Sequence, residues 1–264
     1  MKVFISSDME GTAGINSWDE LERTHPDWHE FRALMTAEVV AACEGARAAG
    51  ATEVLIKDAH ETARNLLVAE LPDYARIIRG WSGHPDSMMF GLEPGFAGAC
   101  YLGYHSKAGT EANPLAHTNN GRISRLIING EVSSEFTINA LCAARYGVPS
   151  AFIAADENMC AEARAMVPGI ETVETLFGKG RASNSITPKR SRQLIFEGVK
   201  RAFSKDLSGQ VAKLADHFEL IVEYNNAVDA YRASWFPGVK AHGPRAVAIE
   251  SKDFFELQRA LHFK

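Results

Sequence analysis

Short apolar runs alternate along this chain with longer amphipathic stretches. The runs at 2–7, 53–57, 75–79, 98–103, 122–129, 150–155 and 170–176 read as buried strands. The stretches 28–49, 133–146, 156–167 and 188–204 read as helices, and 65–71 and 85–91 as a short helix and a helical turn. Gly50 and Gly147 are placed to stop two of the helices. Ser133 or Ser134 can cap the second, and Thr187-Pro188 is an N-cap followed by proline at the first helical position. Strands that alternate with helices must be joined by crossovers. The expected fold class is therefore α/β, a mostly parallel sheet with helices on both faces. The tail reads strand (220–224), helix (227–233), loop, strand (246–251), helix (253–262), a small C-terminal α+β unit. This divides the chain at 208/209, into an α/β domain over 1–208 and an α+β domain over 209–264.

Composition narrows the function. A net charge of -5 over 264 residues gives no basic field to hold nucleic acid, and no nucleic-acid partner is expected. No apolar run approaches the roughly 18 residues of a membrane span, so no membrane partner is expected either. Val3-Phe4-Ile5 before Ser6-Ser7-Asp8 is too short for the core of an export leader. Cys43, Cys100, Cys142 and Cys160 form no C-x-x-C pair and read as reduced, buried thiols, which points to the cytoplasm.

In a mostly parallel sheet, ligands bind outside the carboxyl ends of the strands, and three of those ends carry metal-ligand chemistry. The first runs into Asp8-Met9-Glu10, the second into Asp58-Ala59-His60, and the fourth into Tyr104-His105. If the chain stays extended, Asp8 and Glu10 share one side, as do Asp58 and His60. A lone Asp after a strand is commonly a turn former, and a lone strand-end His a partly buried polar group. Asp8, Glu10, His60 and His105 together, from three ends on one edge, instead suit Zn²⁺ or a similar divalent ion. Such carboxylates without a cation would repel one another. Asp58, two residues before His60, is placed to orient that imidazole.

Other signals are weaker. Glu135 starts a helix, where the helix dipole favours an acid in any case. His117 lies in the long aperiodic segment 106–121, long enough to be functional rather than a connector. His25 and His29 flank Pro26 and read as surface residues, and His84, His217, His242 and His262 have no supporting context. The segment 177–187, rich in Gly, Ser and Asn, reads as a loop. A phosphate loop is excluded after the first strand, since two carboxylates stand where the anion would sit. No G-x-S-x-G and no Cys beside a base support a nucleophilic Ser or Cys.

Taken in order, Ser6-Ser7-Asp8-Met9-Glu10-Gly11-Thr12-Ala13-Gly14, the segment from Glu53 to His60, Leu102-Gly103-Tyr104-His105, Ala116-His117, Ser134-Glu135 and Trp235-Phe236-Pro237-Gly238 resemble the M55 metallopeptidases over nearly the whole chain. The resemblance implies two Zn²⁺ per subunit in a binuclear site. One zinc takes Asp8, Glu10 and His60, and the other takes Asp8, His105 and Glu135, so Asp8 bridges. His117 matches the catalytic histidine, as nucleophile or general base. The resemblance further implies a metallo-aminopeptidase that removes the N-terminal residue, with a D-amino acid there, from small peptides. It also implies a homo-oligomer of stacked rings. Two alternatives remain open: an amidase of small amino-acid amides on the same metals, and a non-catalytic peptide-binding protein of dipeptide uptake.

Overall fold

β1 (Lys2–Ser7) is buried from Val3 onward because strands flank it on both sides. In the computed structural model, which describes residues 1–263, β1 pairs in parallel with β2 (Glu53–Asp58) and with β4 (Gly98–Tyr104). β3 (Ala75–Ile78) extends the sheet beyond β2, and β7 (Ser150–Ala155) and β8 (Glu171–Glu174) extend it beyond β4. The order is β3-β2-β1-β4-β7-β8, parallel throughout. The chain thus steps outward from β1 in one direction, then returns to its other side. The switch point lies between β1 and β4, and the crevice for a ligand opens at their carboxyl ends.

Helices cover both faces, as the alternation predicts. Val3 and Ile5 point to one face, where α1 (Trp28–Ala48) and α4 (Pro188–Ala202) bury Met35, Val39, Ile195 and Val199. Phe4 points to the other, against Phe136 and Ala140 of α2 (Glu135–Arg145) and Met159 of α3 (Glu157–Met166). All four cysteines are free and buried, and burial pushes every thiol up, Cys43 and Cys142 to about 12. Among the described residues no helix is long and apolar enough to cross a membrane.

A second, antiparallel sheet contains β11 (Phe218–Tyr224), β12 (Lys240–Gly243) and β13 (Ala246–Ser251), with α5 (Ala227–Ala233) and α6 (Phe254–Phe263) against it. It is not made of the tail alone. β5 (Ile123–Ile128) and β6 (Glu131–Val132) join it in the order β12-β13-β11-β5-β6, with Leu126 opposite Val222. A division at 208/209 therefore separates neighbours in one sheet. The apolar pattern of 122–129 suits a strand of either sheet, so the sequence does not announce this partner.

α2 is wedged between the two sheets. Phe136, Ala140 and Ala143 pack toward the first, and Ile138 and Leu141 toward the second. Two local readings change. Residues 177–187 hold a hairpin of β9 (Leu176–Lys179) and β10 (Ala182–Ser185) rather than a plain loop. Residues 65–71 form only a single tight turn, Val68–Glu70, because the Asp58 carboxylate holds the Asn65 and Leu66 N–H groups at 2.6 and 2.8 Å.

Candidate metal centre

Past Ser7 the chain turns instead of continuing extended. The Asp8 N–H donates to the Leu102 carbonyl and the Gly11 N–H to the Gly103 carbonyl, both at 2.8 Å, which lays the turn along the end of β4. Two glycines permit this approach. A Cβ on Gly11 would run into the Tyr104 carbonyl oxygen. Gly103 has a φ of +65°, and a Cβ there would strike the Asp8 carbonyl. Asp8 and Glu10 converge because of this turn rather than strand alternation. Met9 between them is buried, and its N–H lies 3.0 Å from Asp8 Oδ1 and 3.3 Å from Glu10 Oε2.

The sequence-predicted ligands meet here. His60 Nδ1 stands 3.2 Å from Asp8 Oδ1 and 3.2 Å from Glu10 Oε2. His105 Nε2 stands 3.5 Å from Asp8 Oδ2 and 3.7 Å from Glu135 Oε1. Glu135 arrives as the first residue of α2, whose Ser134 cap accepts the Thr137 N–H. His117 Nε2 lies 3.7 Å from Glu135 Oε1 and 3.9 Å from Glu10 Oε1. The donor atoms form three groups, each within 4.8 Å: Asp8, Glu10 and His60; Asp8, His105 and Glu135; Glu10, His105 and His117. Asp8 directs Oδ1 into the first and Oδ2 into the second.

These residues fit a divalent cation. His105 Nδ1 donates to the Ser106 carbonyl at 3.0 Å, which leaves Nε2 facing two carboxylates without a hydrogen-bond partner, the atom that would offer a metal its lone pair once its proton is released. Asp8, Glu10 and Glu135 are all buried. Burial pushes the Asp8 carboxyl up, with help from the Glu10 charge, to about 6. Burial also pushes Glu10 upward, but the neighbouring His60 charge and hydrogen bond hold it well below the usual range. Burial works against the charged His60 and His105 rings too, yet Glu10 and Glu135 hold both well above the ordinary imidazole value. Protons on the imidazoles balance the acids when no metal is bound. Nitrogen and carboxylate donors in sets of three suit zinc.

The supporting groups are less visible in sequence. Among the described residues Asp58 makes no hydrogen bond to the His60 ring. It accepts from Asn65 Nδ2 at 3.0 Å, and the same amide donates to the His60 carbonyl at 2.7 Å, so Asp58 shapes the backbone under the ligand. Asp156, at the end of β7, accepts from the Ser106 N–H at 2.6 Å and from Ser106 Oγ at 2.5 Å while capping α3. It also takes Asn113 Nδ2 at 3.2 Å, which reaches the Glu10 carbonyl at the same distance. The signal for Asp156 was present: it is another Asp at the carboxyl end of a sheet strand. The Asn119 N–H donates to Glu135 Oε1 at 2.7 Å. His117 is half-buried, stacks on His105 with ring centres 4.3 Å apart, and meets the edge of Trp18 at 5.4 Å. A cavity of about 490 Å³ opens over the cluster.

The family model of the M55 D-aminopeptidases matches residues 1–263. The D-aminopeptidase of Bacillus subtilis strain 168 is 30% identical over 265 residues, covering 99% of this chain and 95% of that one. Among solved structures, the Zn-dependent D-aminopeptidase DppA from Bacillus subtilis, described as a self-compartmentalizing protease, superposes with a TM-score of 0.92 at 29% identity. That match covers 99% of this chain and 95% of the DppA chain. With its whole described length matched in sequence and fold, this chain belongs to the M55 family of D-aminopeptidases.

Proposed function

We propose that this chain is a zinc-dependent aminopeptidase that removes an N-terminal D-amino acid from small peptides, using two zinc ions per subunit. The observation that carries the reading is Asp8, whose two oxygens point into two donor sets, toward His60 on one side and His105 on the other. Asp8, Glu10 and His60 would hold one ion, and Asp8, His105 and Glu135 the other. Bound zinc supplies Lewis acidity, which polarises a scissile carbonyl and activates water.

The protein's own groups do the rest. The ordered hydrogen bond from Asn119 N–H orients the Glu135 carboxylate, and Asp156 with Ser106 fixes the backbone carbonyl that sets the His105 ring. His117 Nδ1 donates to the Leu115 carbonyl at 2.9 Å. That leaves the Nε2 lone pair directed between Glu10 and Glu135, in the cavity. Nε2 is therefore the atom that accepts a proton during attack on the carbonyl and returns it to the leaving amine. The same lone pair can also attack directly as a nucleophile. Stacking on His105 and the Trp18 edge keeps the ring in place.

The chain is further proposed to act in the cytoplasm, in keeping with four free buried thiols, and to assemble with copies of itself. Val228 and Tyr231 of α5 and Trp235 just beyond it are 76, 68 and 73% exposed, large apolar side chains left to water near one another, as at surfaces that meet a partner. The deciding experiment is a substrate panel with zinc-loaded protein: D-Ala-D-Ala, L-Ala-L-Ala and D-alaninamide. Cleavage of the D-dipeptide well above the other two is expected. Preference for the amide would move the chain to the amidase class, and turnover of none would favour a binding protein.

A further inference from the structure

The cavity has two chemically opposite walls. One is the acid and imidazole cluster. The other is built by the start of β5, the end of β11 and α5, and it carries Arg122 and Arg232. Arg232 is exposed, and its guanidinium makes no hydrogen bond or ion pair among the described residues. Arg122 has one carboxylate neighbour, Asp229, at 3.6 Å. That distance is too long for a hydrogen bond, and Asp229 already accepts from Asn226 Nδ2 at 2.7 Å. Two guanidinium groups thus stand against one carboxylate, with donors to spare and open to the cavity. A planar guanidinium matches a carboxylate through two parallel N–H donors. A short unblocked peptide whose N-terminal bond lies at the metal cluster carries its carboxylate at the other end, the group that the arginine wall is built to take.

We propose that Arg122 and Arg232 bind the C-terminal carboxylate of the substrate, which makes the site selective for short peptides with a free C-terminus over their amides. The proposal rests on the peptidase reading above and names its substrate class. It also separates the two reactions that the metal cluster alone cannot tell apart. An amidase substrate offers nothing to the arginine wall.

The test compares D-Ala-D-Ala with its C-terminal amide, which has the same scissile bond, on the zinc-loaded full chain. Wild type should prefer the free acid, mainly through KM. In Arg232→Gln, and more so in the double variant with Arg122→Gln, the acid-to-amide ratio of kcat/KM should fall about 10- to 100-fold, the usual worth of a charged hydrogen bond. Arg232→Lys should restore part of it. Zinc content, measured alongside, shows that the variants remain folded at the site. A wild type that cleaves acid and amide equally well, or variants that lose both to the same degree, would overturn the carboxylate anchor and leave the peptidase reading standing. A zinc-loaded wild type that cleaves neither would sink both.

Discussion

His105 gives its Nδ1–H to a backbone carbonyl and presents Nε2 to Asp8 and Glu135, so removing the ring deletes a donor that no neighbour replaces. His105→Ala and His60→Ala should each lower bound zinc and abolish hydrolysis. His117→Ala should abolish hydrolysis with zinc retained, because both proposed donor sets are complete without it. Metal analysis beside a D-dipeptide assay separates these outcomes, and metal loss in the His117 variant would place that ring among the ligands through its group with Glu10 and His105. Asp8, Glu10, His60 and His105 were legible as metal-ligand chemistry gathered at strand ends, whereas Glu135 and His117, weak signals by position alone, entered through the family resemblance. The groups that support them were not legible. Asn113 reaches the backbone carbonyl of Glu10, Asn119 offers its own backbone N–H to the Glu135 carboxylate, and Asp58 serves the backbone under His60 rather than its ring. Nothing in residue type or spacing encodes such a contact.

Among the elements, β1 and β4 set the site because their following turns touch. Gly103→Ala would add a side chain at a left-handed φ and drive it into the Asp8 carbonyl. The expected cost is about 2 kcal/mol or more, with weaker zinc binding, read by thermal unfolding and metal titration. Farther from the metal, Glu38 of α1 accepts the Ala13 N–H and the Ser191 hydroxyl of α4 at 3.1 and 2.6 Å. Burial raises its carboxyl to about 7, against the hydrogen bonds that lower it. The native chain therefore holds this proton between roughly pH 4.5 and 7 while the unfolded chain releases it, so stability from this group falls as pH rises through that window. Glu38→Gln removes the titration. The stability of the variant relative to wild type should rise by about 2 kcal/mol between pH 5 and pH 8, as measured by denaturant unfolding. A pH-independent difference would contradict the buried proton. The major strands and helices followed from apolar periodicity, which reports burial. The partner of β5 did not, since that periodicity is blind to which sheet buries it.

For the whole molecule, the two sheets meet at α2, and the cavity draws one wall from each. The side of α5 bearing Val228 and Tyr231 is left to solvent, beside the wall that carries Arg232. Burial of this surface between copies predicts a particle several times the 28.9 kDa chain, and Trp235→Asp should shrink it, as followed by light scattering. A 28.9 kDa particle at working concentration would oppose self-assembly. Formal charge takes on a different meaning as well. Three of the acids behind the value of -5 face the proposed metals, so the loaded chain is less acidic than its sequence. Two zinc ions sharing Asp8 underlie the whole reading of the site, and zinc content per chain of purified protein, assayed in parallel for D-Ala-D-Ala hydrolysis, tests them. About two zinc ions per active chain are expected, with loss of both metal and turnover on chelation and recovery on adding zinc. Hydrolysis that persists at full rate in protein stripped of metal would contradict that reading.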